Sequence, residues 1–307
     1  MSANEHFPGN ALLDLLDASP NAVVGVNPSG LVAYLNPAAS AEFGYEREDL
    51  AAAPIEVLLP AHQMAAHAAH RAAFAQHPVA RPMGIGLELA GRRKDGTEFP
   101  VEIGLTPIEA AGGIWIFATI VDISARVQAD REIRALSRAY RIVAETNKAI
   151  LRAPDENALF NAVCQIAVEQ GGALGAWVGV ATSARGEIRE VASAGTISAY
   201  IAQLTISATP STPQGRGPTA QALREGKPVY CDDFQSDPTT EPWRELGRYY
   251  GIRASACLPL RRGAETVAVL SIYAETPNSY DEPLRSLLEG LTDDVSFALA
   301  RLQPGSG

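Results

Sequence analysis

Residues 124–152, SARVQADREIRALSRAYRIVAETNKAILR, contain neither Pro nor Gly and separate two blocks of mostly strand-like patterning. Within them Ile133, Leu136, Tyr140, Val143, Asn147 and Ile150 recur at alternating spacings of three and four. That is the a/d rhythm of a coiled-coil seam, with a polar residue at an a-type position of the kind that fixes register. The strict pattern covers fewer than three heptads, and Ser137, Ala139 and Ala144 beside it are small. The spacing therefore predicts one long helix opening at Ser124, a good N-cap, and widening into a helix bundle. Such a helix serves either as a spacer or as a lever between the two blocks.

Composition limits what those blocks do. At 307 residues and 47% hydrophobic content the chain can fill two cores. A formal net charge of −10 argues against nucleic acid or an anionic membrane as the main partner. No apolar run approaches the ~20 residues that span a bilayer, and no secretory leader pattern opens the chain. Cys164, Cys231 and Cys257 form no CxxC pair and no even disulfide set, the usage of a reducing cytoplasm.

Before the long helix, residues 1–10 read as a polar tail and Ala11 to Leu16 as a short helix. Ala22 to Val26 and Leu31 to Leu35 form a hairpin around Asn27-Pro28-Ser29-Gly30. Asn36-Pro37 opens a helix ended by Gly44, a second short helix covers Arg47 to Ala52, and an Ala-rich helix runs from Pro60 to about Gln76. Three strands close the block, with Ile85-Leu87-Leu89 and Val101-Ile103-Leu105 alternating inward and Ile114 to Val121 last. The order implies a five-stranded antiparallel sheet cupped against helices, a place for a pocket.

Asn36-Pro37-Ala38-Ala39 with Phe43-Gly44-Tyr45, the run Arg92 to Glu102 (RRKDGTEFPVE) and the terminal Asp122-Ile123-Ser124 make residues 11–124 resemble a PAS domain. The resemblance implies that Asp122 and Ser124 couple the sheet to the exit helix, Ser standing for the usual Thr. Signal transmission would continue through Ile133, Leu136, Tyr140, Val143 and Asn147.

His62, His67, His70 and His77 lie on or just beyond the Ala-rich helix, with His67, His70 and Phe74 on one arc. A neutral imidazole facing a cup could serve as an axial haem ligand, or the helix could simply face water. Within the PAS family the block looks similar to haem-binding oxygen sensors of the FixL type. An ungapped register places that group's proximal histidine on His67 and its pocket-lining apolar residues on Ile103 and Leu105. The distal arginine of those sensors falls on Leu87, so a charge-assisted hydrogen bond worth roughly 1.5–3 kcal/mol would be lost. The ligand of the cup stays open, with haem b one candidate and His67 the conditional iron ligand. A flavin adduct is disfavoured, because no cysteine lies in this block.

After the long helix, residues 153–303 alternate helix and strand. Leu159, Val163, Ile166 and Ala167 recur at helical spacing, and Arg253 to Leu260 and Thr266 to Tyr273 form a hairpin. A final helix carries Leu284, Leu288, Leu291, Val295, Ala298 and Leu302 at four-three spacing, so a symmetric dimer could pair it with the long helix, or it could cover its own sheet. Residues 304–307 form a tail. Gly215-Arg216-Gly217-Pro218-Thr219, Ala222 to Val229, Asp237-Pro238 and Ser255 to Leu260 make this block resemble a GAF domain of the type found upstream of diguanylate cyclases, phosphodiesterases and histidine kinases. It holds no His, no Cys-His bilin site and no cyclic-nucleotide pattern. Arg216 and Arg253 could meet an anion but suit surface salt bridges better.

The expected fold class is therefore α+β, two antiparallel sheets flanked by helices and joined by a long helix. The expected function is a cytoplasmic, homodimeric sensory module without catalysis, passing a small-molecule signal to a kinase or cyclase/phosphodiesterase output in cis or in trans. A thiol-dependent methionine sulfoxide reductase is the competing enzymatic reading. It would need an accessible low-pKa thiolate, whereas Cys164 and Cys257 fall on apolar faces.

Overall fold

A computed structural model describes residues 9–74, 79–83, 89–110, 113–182 and 186–302. The chain forms two compact units, Met1–Glu132 and Ile133–Gly307.

The first unit runs α1 (Gly9–Asp17), β1 (Ala22–Val26), β2 (Val32–Leu35), α2 (Pro37–Phe43), α3 (Arg47–Leu50), a 3-10 turn (Ile55–Leu58), α4 (Met64–Phe74), β3 (Arg81–Met83), β4 (Ala90–Arg92), β5 (Glu98–Ala110) and β6 (Gly113–Asp122). Its antiparallel sheet has the order β2-β1-β6-β5, and β3 and β4 both pair with β5. Asn36 is fully buried because it joins three elements. Its Oδ1 accepts the amides of Val23 (2.8 Å) and Ala39 (2.9 Å), and its Nδ2 donates to the Leu16 and Asn21 carbonyls. Capping α2 and tying it to β1 and α1 are one act of satisfying orphan backbone groups. The core beneath holds Val24, Leu35, Phe43, Leu50, Leu58 and Phe99.

Two expectations shift here. The Ala-rich helix begins at Met64 rather than Pro60, leaving His62 in the preceding turn. Of the strand expected over Ile85-Leu87-Leu89, residues 85 and 87 lie outside the described residues, as does His77; Leu89 accepts the Val101 amide as a strand partner would.

The long helix, α5 (Ser124–Arg152), is continuous over its 29 residues. The second unit continues with α6 (Glu156–Glu169), β7 (Gly175–Ala181), β8 (Ile188–Gly195), α7 (Ser198–Ile201), α8 (Pro218–Glu225), β9 (Val229–Cys231), α9 (Arg244–Tyr249), β10 (Ala254–Arg262), β11 (Glu265–Ala274) and α10 (Glu282–Leu299). Its antiparallel sheet has the order β8-β7-β11-β10-β9. One apolar layer sets α6 and α10 against the sheet through Leu159, Val163, Leu258, Leu270, Val295 and Leu299. The other covers the opposite side with Trp177, Tyr200, Phe234, Trp243 and Tyr273.

The α10 stripe is largely spent inside its own unit: Val295, Ala298 and Leu299 are buried in the core against the sheet, Leu291 is buried as well, and Leu284 and Leu288 pack nearby. Of the two roles the sequence left open for that stripe, covering its own sheet is the one these contacts describe. On α5 the buried positions are Ile142 and Thr146, followed by Ala149 and Ile150 against the second core. The earlier seam residues Ile133, Leu136 and Tyr140 are 62%, 73% and 74% exposed. No helix among the described residues is long and apolar enough to cross a membrane.

Candidate functional site

Asp122 ends β6 with one residue between it and the start of α5, so its carboxylate sits where strand becomes helix. Oδ1 accepts the Ser124 amide at 2.7 Å, satisfying a first-turn donor of α5 that has no partner inside the helix. Oδ2 accepts from the Arg93 guanidinium at 2.7 Å. Arg93 also reaches the Glu42 carboxylate, donates through Nε to the Glu42 carbonyl at 2.9 Å, and lies 3.8 Å over the Phe99 ring. One arginine thereby joins the end of α2, the aromatic core and the start of α5. Burial pushes the Asp122 carboxyl up, but the Ser124 and Arg93 hydrogen bonds outweigh it and hold the group below its ordinary range.

A second charged cluster lies on α4. Glu56, 7% exposed in the 3-10 turn, uses Oε1 to meet both His67 Nδ1 (3.1 Å) and Arg71 Nε (3.2 Å). Burial raises the Glu56 carboxyl, and the hydrogen bonds from His67 and Arg71 bring it below its usual value. His67 is half-buried, and no hydrogen bond to its Nε2 is found among the described residues, whereas His70 is exposed. Ile103 and Leu105 sit on the inward face of β5, packed against the core. Leu87 lies outside the described residues. So the structure brings Ile103 and Leu105 to the cup face and gives His67 a carboxylate partner.

The second unit holds a small, partly open hollow of about 20 Å³. Tyr200, Phe234, Trp243 and Tyr273 wall it together with Thr219, Ser255 and Cys257. Gly217 and Pro218 bring the first turn of α8 to the same place. A Cβ on Gly217 would stand 2.4 Å from the Trp243 ring, so glycine is what lets the indole close the wall.

Comparison with known proteins fits both halves. A PAS domain model matches residues 20–125 and a GAF domain model residues 153–300. The chain carries a PAS domain followed by a GAF domain. An uncharacterised protein of Azorhizobium caulinodans is 32% identical over 127 residues, 40% of this chain and 17% of that protein. The oxygen sensor protein DosP of Escherichia coli is 27% identical over 121 residues, 39% of this chain and 15% of DosP. The sensor protein FixL of Bradyrhizobium diazoefficiens is 21% identical over 125 residues, 41% of this chain and 25% of FixL. The chain thus spans a quarter or less of each of these relatives. Among solved structures, a free methionine-R-sulfoxide reductase of Neisseria meningitidis is similar at 16% identity and a TM-score of 0.45, covering 53% of this chain and 90% of the reductase. That score supports no argument about activity.

The GAF thiols have the wrong environment for nucleophilic chemistry. All three cysteines are buried. Burial pushes Cys164 up to about 12 and raises Cys231 further, and it raises Cys257 against the hydroxyls of Thr219, Ser271 and Ser255. Catalysis by a thiolate needs the opposite, an exposed sulfur with a depressed pKa. Arg216 donates to the Pro210 carbonyl and Arg253 lies 4.0 Å from Asp233, so neither faces the hollow.

Sequence reasoning missed Glu56 and the GAF hollow. A lone acid in the apolar run Ile55-Glu56-Val57-Leu58 was the available signal for the first, since an acid there must find a partner or stay out of the core. For the second, only the Gly217-Pro218 step was visible. Its aromatic walls come from four separate elements.

Proposed function

We propose that the chain is a sensory and regulatory module. In this reading a small ligand or cofactor in the PAS cup alters its sheet, and the change leaves through Asp122 and Ser124 into α5. An output domain or partner chain, a histidine kinase or a diguanylate cyclase/phosphodiesterase, receives it. The observation that carries the reading is the shared arginine: Arg93 ties the α2 end and the aromatic core to the same carboxylate that holds the first turn of α5. A shift of the sheet cannot leave those three groups satisfied without moving the helix start, because a half-buried carboxylate resists losing its hydrogen bonds. A double-mutant cycle tests it. Arg93→Gln and Asp122→Asn should be non-additive in PAS stability by about 1 kcal/mol or more, and strict additivity would contradict the coupling.

The module is read as a homodimer built on α5. Ile133, Leu136 and Tyr140 present an exposed apolar line, and a second copy is the partner that such a line suits by symmetry. Catalysis has no place in this reading, since the thiols are buried and protonated.

Haem is the second reading, favoured by one observation. A ligating histidine usually donates its other ring nitrogen to a carboxylate, and Glu56 meets His67 Nδ1 in that way while leaving Nε2. The residues fit in this respect: His67 would hold the iron, Glu56 would fix the imidazole, and Ile103 and Leu105 would pack on the ring. Haem would supply gas binding. Reconstituted protein should show a Soret band that His67→Ala abolishes; absence of the band with the unaltered chain removes haem and leaves the cup's ligand unassigned.

A further inference from the structure

The tip of the β10–β11 hairpin carries two adjacent arginines, Arg261 and Arg262, that neither the PAS junction nor the hollow uses. A register shift between Leu260 and Arg261 and the left-handed Gly263 (φ 63°) bend the strand end, and such irregularities re-aim side chains. Arg261 reaches α8, donating to the Gly226 carbonyl just past that helix, and its amide donates to Ser296 Oγ on α10 at 2.9 Å. Arg262 reaches α6 and α10 instead. Its guanidinium forms an ion pair with Glu156, the first residue of α6, and its Nε donates to the carbonyl of Leu299, the last residue of α10, at 3.4 Å.

Those two helix ends are where the chain enters and leaves the GAF core. Only Ala153, Pro154 and Asp155 separate α5 from α6. Ala149 and Ile150 of α5, Ala153 in the link and Leu302 just beyond α10 pack on the same apolar layer as Leu299. Electrostatics explain why an arginine stands between them. Glu156 is 8% exposed, so its carboxylate depends on a cation. Its place in the first turn sets negative charge at the positive end of α6, and Arg262 sets positive charge at the negative end of α10. The Leu299 carbonyl is one of the four at that end with no partner inside the helix. One guanidinium thus completes two helix termini.

We infer that Arg262 is a positioning residue that carries a displacement of the α5 end directly to the end of α10, by a route that bypasses the GAF hollow. This coupling rests on the reading of α5 as the signal-bearing helix and lies wholly inside the second unit. A shift of the α5 end draws Glu156 with it, because the link is three residues long. Arg262 follows, since a buried carboxylate is costly to leave without its cation. The Leu299 carbonyl then loses its donor, and the last turn of α10 loosens. Lysine cannot stand in for the arginine. A compact ammonium can keep the carboxylate but lacks the planar fork that serves carboxylate and carbonyl together.

Amide hydrogen exchange of the full chain at residues 300–302, whose amides donate to the Ser296 and Ala298 carbonyls, reads the α10 end. Glu156→Gln and Arg262→Lys should each speed exchange there by about fivefold or more, with strands β7, β10 and β11 unchanged, and the double variant should add nothing further. Asp155→Ala removes the cap that accepts the Ala158 amide at 2.8 Å and so loosens the entry side alone. It should speed exchange at residues 300–302 in the unaltered chain and leave it unmoved in Arg262→Lys. A merely structural ion pair would instead raise exchange across the sheet as well. That uniform rise, an α10 end that ignores Glu156→Gln or Arg262→Lys, or an Asp155→Ala effect that persists in Arg262→Lys would each overturn the coupling. Should Glu156→Gln fail to fold, Asp155→Ala and Arg262→Lys decide the matter. Exchange at residues 124–128 that ignores the PAS junction variants would remove the α5 reading and leave the Arg262 coupling standing.

Discussion

The PAS junction and the GAF hollow are both polar sites in mainly apolar surroundings, yet they are built on opposite plans. At the junction Arg93, Glu42 and Asp122 carry full charges and are each about a quarter exposed. The hollow has hydroxyls, a thiol and a helix end but no formal charge, and its Ser255 is almost fully buried. Charges kept near water can exchange partners at modest cost, which suits a relay. Dipoles largely withdrawn from water are poor at exchange, because a lost partner leaves them unpaired.

Variants that break each plan should differ in size. The largest effect belongs to the scaffold behind the junction. Asn36→Ala leaves the Val23 and Ala39 amides without their acceptor and takes a donor from the Leu16 and Asn21 carbonyls, and chemical denaturation should show the PAS transition losing about 3 kcal/mol or more. Asp122→Asn should cost about 1–3 kcal/mol, since it weakens the Arg93 contact and leaves the amide geometry. Its pH dependence sharpens the point. The Asp122 carboxyl is depressed in the folded state, so its contribution is present above the unfolded value of about 3.9 and is lost as pH falls through the lower folded one. Acid titration of the PAS transition should therefore be shallower in Asp122→Asn, with the remaining slope shared by Glu56, Asp49 and Asp95, which are depressed in the same sense.

The smallest stability effect belongs to the exposed line on α5. Tyr140→Glu should leave unfolding within about 0.5 kcal/mol of the unaltered chain. Sedimentation velocity should nonetheless show the variant shifted toward monomer; an unchanged dimer fraction would move the interface elsewhere.

What the amino-acid pattern disclosed follows the same division. The junction was legible because its parts lie in short motifs: Asp122-Ile123-Ser124 is contiguous, and Arg93 belongs to a turn of fixed spacing before β5. Pairing them took the structure, since 29 residues separate Arg93 from Asp122. Helix α5 matched its expected limits because Pro and Gly are absent and Ser124 starts it. Its buried side differed: Ile142 and Thr146 are buried and Ala149 and Ile150 pack on the GAF core, and periodicity alone does not say which neighbour a stripe meets. The α10 stripe taught the same lesson in reverse. Two helices with similar four-three spacing divide into one spent on its own sheet and one left partly open. For the hollow no local pattern existed: Ser255 and Cys257 read as inward residues of a buried strand, and the aromatic residues beside them come from separate elements.

The central claim is that the PAS sheet holds the start of α5 through Asp122. Amide hydrogen exchange at residues 124–128, compared between the unaltered chain, Arg93→Gln and Asp122→Asn, tests it most directly. The account predicts faster exchange in both variants at these residues, with α5 beyond residue 140 unchanged. Exchange at the helix start that ignores both substitutions would contradict it.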